Sequence, residues 1–187
     1  MWFCYHRVGQ ELLPLIIISF LAFSCEDEQN KELKSTSIAK IVATTPEFSS
    51  LKEALEVTGL TSTLEEAGDY TVFVPDNDAF AAVLGSLTVQ EFNDANPGVL
   101  ANILKYHVLT SRVLSKDLTD AQLVPTLLGQ NLTVSLQPNA FYPEYDVDLG
   151  AYEQTSVFIN DSRVFARDVK CSNGIIHVID SVLLPSS

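Results

Sequence analysis

Basic residues are scarce in this chain: 11 lysines and arginines stand against 24 aspartates and glutamates, a formal net charge of −13 over 187 residues. A body this acidic repels phosphate backbones and anionic lipid faces, which argues against nucleic acid as a partner. The acidity itself speaks mainly of solubility. Cysteine is equally thin. Cys4, Cys25 and Cys171 form no Cys-x-x-Cys pair, which removes zinc ribbons and thioredoxin-like redox sites. There is no His-Glu-x-x-His, no Gly-x-Ser-x-Gly, no phosphate-binding Gly-x-x-x-x-Gly-Lys and no Gly-x-Gly-x-x-Gly. Asp76-Asn77-Asp78 lacks the spacing, glycine and distal glutamate of a calcium loop, and a helix cap explains it. No catalytic residue, metal ligand set or cofactor is nominated, and the expectation is a protein without catalysis.

Long hydrophobic runs are also missing beyond one, Leu12 to Phe23. Interrupted by Pro14, it falls short of the ~20 residues a bilayer span needs and matches the apolar core of a secretory signal peptide. Ala22 and Ser24 place cleavage before Cys25, so residues 1–24 read as a signal peptide. Leu21-Ala22-Phe23-Ser24-Cys25 resembles a relaxed bacterial lipobox, with Cys25 the lipid attachment site. Phe23 is bulky where a small residue is usual, so a free Cys25, able to bridge Cys171, stays the alternative. Residues 25–36 read as a polar, lipid-anchored acidic linker, in which Glu26-Asp27-Glu28 resembles the surface-export signal of some Gram-negative lipoproteins. The expected location is an exported outer-membrane lipoprotein exposed at the surface, touching the membrane only through its anchor.

Residues 37–187 read as one domain. Ser37 caps a helix over Ile38 to Ala43, Phe48, Leu51 and Leu55 recur at helical spacing before Gly59, and Tyr70 to Val74 is a strand. Asp76 or Asn77 caps a helix over Ala79 to Leu84, Thr88 with Glu91 forms a capping box, and Asn96-Pro97 opens a helix through Lys105. Alternating strands follow at Leu132 to Leu136, Val157 to Ile159, Val164 to Ala166 and Ile175 to Ile179, with Asn173-Gly174 as a turn. Helices first and strands later predict an α+β domain with a mostly antiparallel sheet.

Three blocks in order carry a family resemblance. Tyr70 to Phe80 (YTVFVPDNDAF), Leu104 to Leu109 (LKYHVL) and Asn173 to Pro185 (NGIIHVIDSVLLP) resemble the signatures of fasciclin-like domains, a match that extends over about residues 36–185, nearly all of the chain beyond the signal peptide. The resemblance implies a compact β-sandwich or wedge with helices packed around it, helices mostly in the first half. It also implies extracellular adhesion or protein interaction without cofactor. Through it the Tyr106-His107 pair inherits a proposed integrin-binding role. The residues themselves also read as a partly buried, hydrogen-bonded pair holding a strand, because Leu104, Val108 and Leu109 surround them with apolar sequence.

Gln137 to Thr155 (QPNAFYPEYDVDLGAYEQT) is longer than the family's usual connection, and long loops in small domains are often functional. Tyr142, Tyr145 and Tyr152 alternate there with carboxylates including Asp146 and Asp148. Rings that stack on sugar faces beside hydroxyl acceptors suit a polysaccharide, and the same composition suits a protein interface. The aromatics also serve, more plainly, to pin the loop to the domain. The leading expectation is an adhesion or protein-interaction module whose partner is an extracellular or surface protein. The alternative is a glycan-binding accessory lipoprotein that captures extracellular polysaccharide.

Overall fold

Each early helix starts where a short polar side chain can take up an unpaired backbone N–H. Ser37 Oγ accepts from Lys40 N and opens α1 (Ile38–Thr44), which buries Ile38, Ala39, Ile41 and Val42. A 3-10 turn at Pro46–Phe48 leads into α2 (Ser49–Thr58), which buries Leu51, Ala54 and Leu55 and stops at Gly59, held at φ 69°. A single turn, α3 (Thr61–Glu65), follows. Asp76 accepts from Ala79 N at 2.8 Å and opens α4 (Asn77–Leu84), and the Thr88–Glu91 capping box opens α5 (Val89–Ala95). The last helix, α6 (Val99–Tyr106), starts after Gly98 at φ 82° and not at Asn96-Pro97 as the sequence suggested. Asn96 is spent on the preceding helix, its N–H and Nδ2 both donating to Phe92 O. The computed structural model describes residues 36–138 and 155–186.

Seven strands form one sheet: β1 (Tyr70–Pro75), β2 (Val108–Leu109), β3 (Leu123–Pro125), β4 (Asn131–Pro138), β5 (Thr155–Ile159), β6 (Ser162–Cys171) and β7 (Gly174–Ile179), in the order β2-β1-β7-β6-β5-β4-β3. Every neighbouring pair is antiparallel except β1 and β7, which run parallel from Tyr70↔Gly174 to Pro75↔Ile179. Leu109 bridges Thr126 and Leu127 N–H reaches Val108 O at 2.7 Å, so the two outer strands approach and the sheet nearly closes on itself. The expected α+β wedge is therefore one curved sheet with helices on part of its outside.

Strand alternation divides the apolar residues into two cores. Phe73, Ile179, Val164, Ile159, Val157, Val134 and Leu132 fill the inside of the curve, together with Tyr106 and Leu183. Val72, Val74, Ile176, Val178 and Cys171 face outward against α1, α2, α5 and α6. Cys171 is free and buried, and burial pushes its thiol up to about 11, against a smaller opposing influence of Arg112. The Asn173-Gly174 turn clamps the helices to the sheet: Asn173 Oδ1 accepts from Ile38 N, Nδ2 donates to Leu64 O and Glu66 O, and its carbonyl accepts from Tyr70 N. β6 is longer than the expected Val164 to Ala166 because register shifts between Val164, Ala166 and Val169 carry it past two irregularities. Beyond Val164 its inward and outward positions exchange, which broke the period-2 signal.

Candidate functional site

Helix α6 ends in the two residues that the sequence singled out. Its buried stripe, Leu100, Ile103, Leu104 and Tyr106, turns Tyr106 inward, 5% exposed. The hydroxyl donates to Asn131 O at 3.1 Å and accepts from Asn160 Nδ2 at 3.2 Å. Asn160 sits at φ 51° in the β5–β6 turn, a conformation asparagine tolerates better than most side chains, and its Oδ1 accepts from Thr133 N. His107, 2% exposed, has both ring nitrogens occupied. Leu183 N–H donates to Nε2 at 2.9 Å, so the proton lies on Nδ1 and is given to Ile103 O at 2.7 Å. Burial pushes its pKa down to about 4, only partly opposed by the Ile103 carbonyl.

Tyr106 and His107 thus act as joints. One ties α6 to β4 and the β5–β6 turn, and the other ties it to the segment after β7. Those two partners form the walls of a surface depression of about 240 Å³, with Asn160, Asp161 and Ser162 on one side and Ser181, Val182, Leu183 and Leu184 on the other. Leu184 is 57% exposed at its rim.

The other histidine is held the same way. His177 on β7 gives its Nε2 proton to Val113 O and accepts Asp168 N–H at Nδ1, while its ring stacks on Phe73 at 5.6 Å. Burial lowers its pKa, opposed by the Val113 carbonyl and the Asp168 charge. Ser115 lies close by, its N–H and hydroxyl both donating to the Asp168 carboxylate. Serine, aspartate and histidine are neighbours, yet both imidazole nitrogens are taken up by backbone groups and neither activates the hydroxyl. Among the described residues no group of three or more His, Cys, Asp or Glu is placed to hold a metal ion.

A different surface lies on the outside of β4, β5 and β6. Alternation turns Leu132 and Val134 inward and leaves Thr133 and Gln137 exposed, with Ser135 half-buried between them. The register sets Ser135 beside Phe158 and Phe158 beside Arg163, and sets Gln137 beside Ser156. Next along β6 from Arg163 on that face is Phe165, 53% exposed, and at the edge Leu123, 61% exposed, pairs with Thr133. Tyr142, Tyr145, Asp146, Asp148 and Tyr152 lie outside the described residues, as does Cys25. The loop that holds the first five is rooted at the Pro138↔Thr155 pair, one step from Gln137 and Ser156.

A family model of the fasciclin domain matches residues 46–185. The chain belongs to the fasciclin domain family. Protein sll1483 of Synechocystis sp. is 32% identical to this fasciclin domain protein over 149 residues, covering 80% of this chain and 73% of that one. Transforming growth factor-beta-induced protein ig-h3 of Sus scrofa is 35% identical over 140 residues, and the chain spans only 18% of its length. Among solved structures, a FAS1 domain pair from the insect cell adhesion molecule Fasciclin I matches with a TM-score of 0.61 at 22% identity, over 80% of this chain and 51% of that one. That likeness is one of fold. No helix among the described residues is long and apolar enough to cross a membrane.

Sequence reading named Tyr106 and His107 but missed Asn160, Leu183 and Phe165. Asn160 did carry a signal, an asparagine at the tight turn between two alternating runs. Phe165 was legible only as one strand residue among several, because a sequence does not say which half of the sheet the helices will leave uncovered.

Proposed function

We propose that this fasciclin domain is a cell-surface adhesion or protein-interaction module, without catalysis, tethered to a membrane through lipidated Cys25. The observation that carries the reading is the outer face of β4–β5–β6, left open by the described residues, where Phe165 stands exposed on a face that also carries Thr133, Gln137 and Arg163. An aromatic anchor within a polar surround is how protein interfaces concentrate binding energy. Beads coated with the full chain should attach to cells or extracellular proteins, and Phe165→Ser should abolish attachment. Full-strength attachment by the variant would remove this face from the reading, and inert wild-type beads would remove the adhesion itself. Cys25→Ser should shift the chain out of the membrane fraction; if it stays there, the lipid anchor is wrong.

A second reading, capture of extracellular polysaccharide, is favoured by one observation. Gln137 and Ser156, at the two ends of the aromatic and acidic stretch of residues 137–155, lie on the same face as Phe165. On a glycan array, binding that disappears with Tyr142→Ala/Tyr145→Ala would establish it. A folded chain that binds no glycan would leave protein-mediated adhesion.

A further inference from the structure

We propose that His107 is an acid-sensitive latch, whose protonation releases the segment after β7, residues 180–186, and opens the depression that this segment walls. The inference stands on the geometry of the ring and does not depend on which partner the open face takes.

Residues 180–186 are not part of any strand or helix, and apart from Leu183 their bonds to the rest of the domain sit at the two ends. Asp180 N–H donates to Arg163 O and its Oδ1 accepts from Arg163 N, Ser162 Oγ donates to Ser181 O, and at Ser186 the carbonyl accepts from Gln130 Nε2 while Oγ donates to Gln130 Oε1. In the middle stands Leu183, 2% exposed within the inner core, and its N–H has the His107 Nε2 lone pair as partner. The other ring nitrogen already spends its proton on Ile103 O. A proton added at Nε2 therefore has no acceptor. It meets the Leu183 N–H head on, two donors about a hydrogen-bond length apart, in a place that water does not reach. The segment and the ring cannot both stay, and the short segment, which lies outside the strand ladder, is the one able to leave.

Neighbouring charge does not relieve the conflict. The titratable and charged residues on the elements joined to the ring are Lys105 and Tyr106 on α6, Tyr70 on β1, His177 on β7, Asp161 in the β5–β6 turn and Asp180 in the segment itself, with Arg163 bonded to it. Asp180 accepts from Arg163 N and Ser181 Oγ, and the Tyr106 hydroxyl is taken by Asn131 and Asn160. β1 presents Phe73, whose N–H donates to His107 O. No carboxylate acts on the imidazole, and only burial and the Ile103 carbonyl set its affinity for a proton. The latch is thus closed near neutrality and opens below the ordinary histidine range, where the released state gains the proton that the closed state refuses.

Hydrogen exchange on the full chain in detergent micelles tests this. Between pH 7 and 4.5 the protection factor of the Leu183 amide should fall by roughly 60-fold relative to Ile176 in β7, the ratio set by a histidine moving from its ordinary value to about 4. His107→Gln offers Oε1 in place of Nε2 and cannot titrate, so its Leu183 protection should stay flat over the same range. Unchanged protection in the wild type at pH 4.5, or the same fall in His107→Gln, would overturn the latch. Should that variant fail to fold, nitrogen chemical shifts of the wild-type His107 ring decide the matter. Ring protonation in step with Leu183 exposure supports the latch, and a protonated ring under a still-protected Leu183 refutes it.

Discussion

The two sides of the sheet obey different rules. On β1 and β7 nearly every residue is buried, because helices cover one face and the inner core the other. On β4 and β5 burial alternates, with Val134, Val157 and Ile159 inside and their neighbours at least partly open to water. The covered strands read in sequence as continuous apolar runs, YTVFV and GIIHVI, and the open ones as alternation. Packing on both faces leaves a strand no residue that could change without cost. Whatever this domain binds must be met by what folding leaves over, and the open outer face of β4–β6 is the described strand surface of that kind.

The strongest way to break the comparison is at the covered pair. A Cβ on Gly174 would stand 2.2 Å from Tyr70 O and 2.7 Å from Ile38 Cδ1, pressing β7 off both β1 and α1. Backbone is one of the two obstacles and cannot rotate away. Gly174→Ala should cost about 3 kcal/mol or more, read as a lowered urea midpoint at unchanged slope. Acid attacks the same half. His177 lies on β7, and the carbonyl of His107 is bonded to β1. Both histidines are held neutral with lowered pKa, so the native state binds fewer protons than the unfolded chain below the ordinary histidine value. Stability is then full above about pH 6.5 and falls as pH drops toward 4, by about 3 kcal/mol for His107. Equilibrium unfolding at pH 7 and pH 4.5 checks this, and a flat profile would contradict the buried neutral ring. The smallest effect belongs to the open half. Phe165→Ser should change stability by no more than about 0.5 kcal/mol, so loss of attachment in that variant would be loss of a contact and not of the fold.

Much of the helical layer was legible because its signals are local. Ser37, Asp76 and the Thr88–Glu91 pair each announce a helix within four residues, and Gly59 announces a stop. The three signature blocks located β1, α6 and β7. What escaped was set by distant partners. β2 is two residues long and β3 three, and both exist only because β1 and β4 pair with them. Asn96 is a good opening residue that a neighbouring helix had already taken. At the site, the apolar surroundings of Tyr106 and His107 were visible in sequence, whereas their bonds to Asn160 and Leu183 reach across 54 and 76 residues.

The parallel pairing of β1 with β7 also has a consequence in time. The seventh of the described strands is a central one, and it docks against a strand about a hundred residues earlier, with the Asn173-Gly174 clamp arriving alongside it. Contacts so far apart in sequence form slowly, because the whole intervening loop must be closed first. A ribosome adding roughly 5–20 residues per second therefore needs about 5–20 s to go from β1 to β7, and through that interval the sheet lacks a middle strand. Until β7 is available the strands on either side of it lack the partner between them, so the domain gains its rigidity in one late step and not strand by strand.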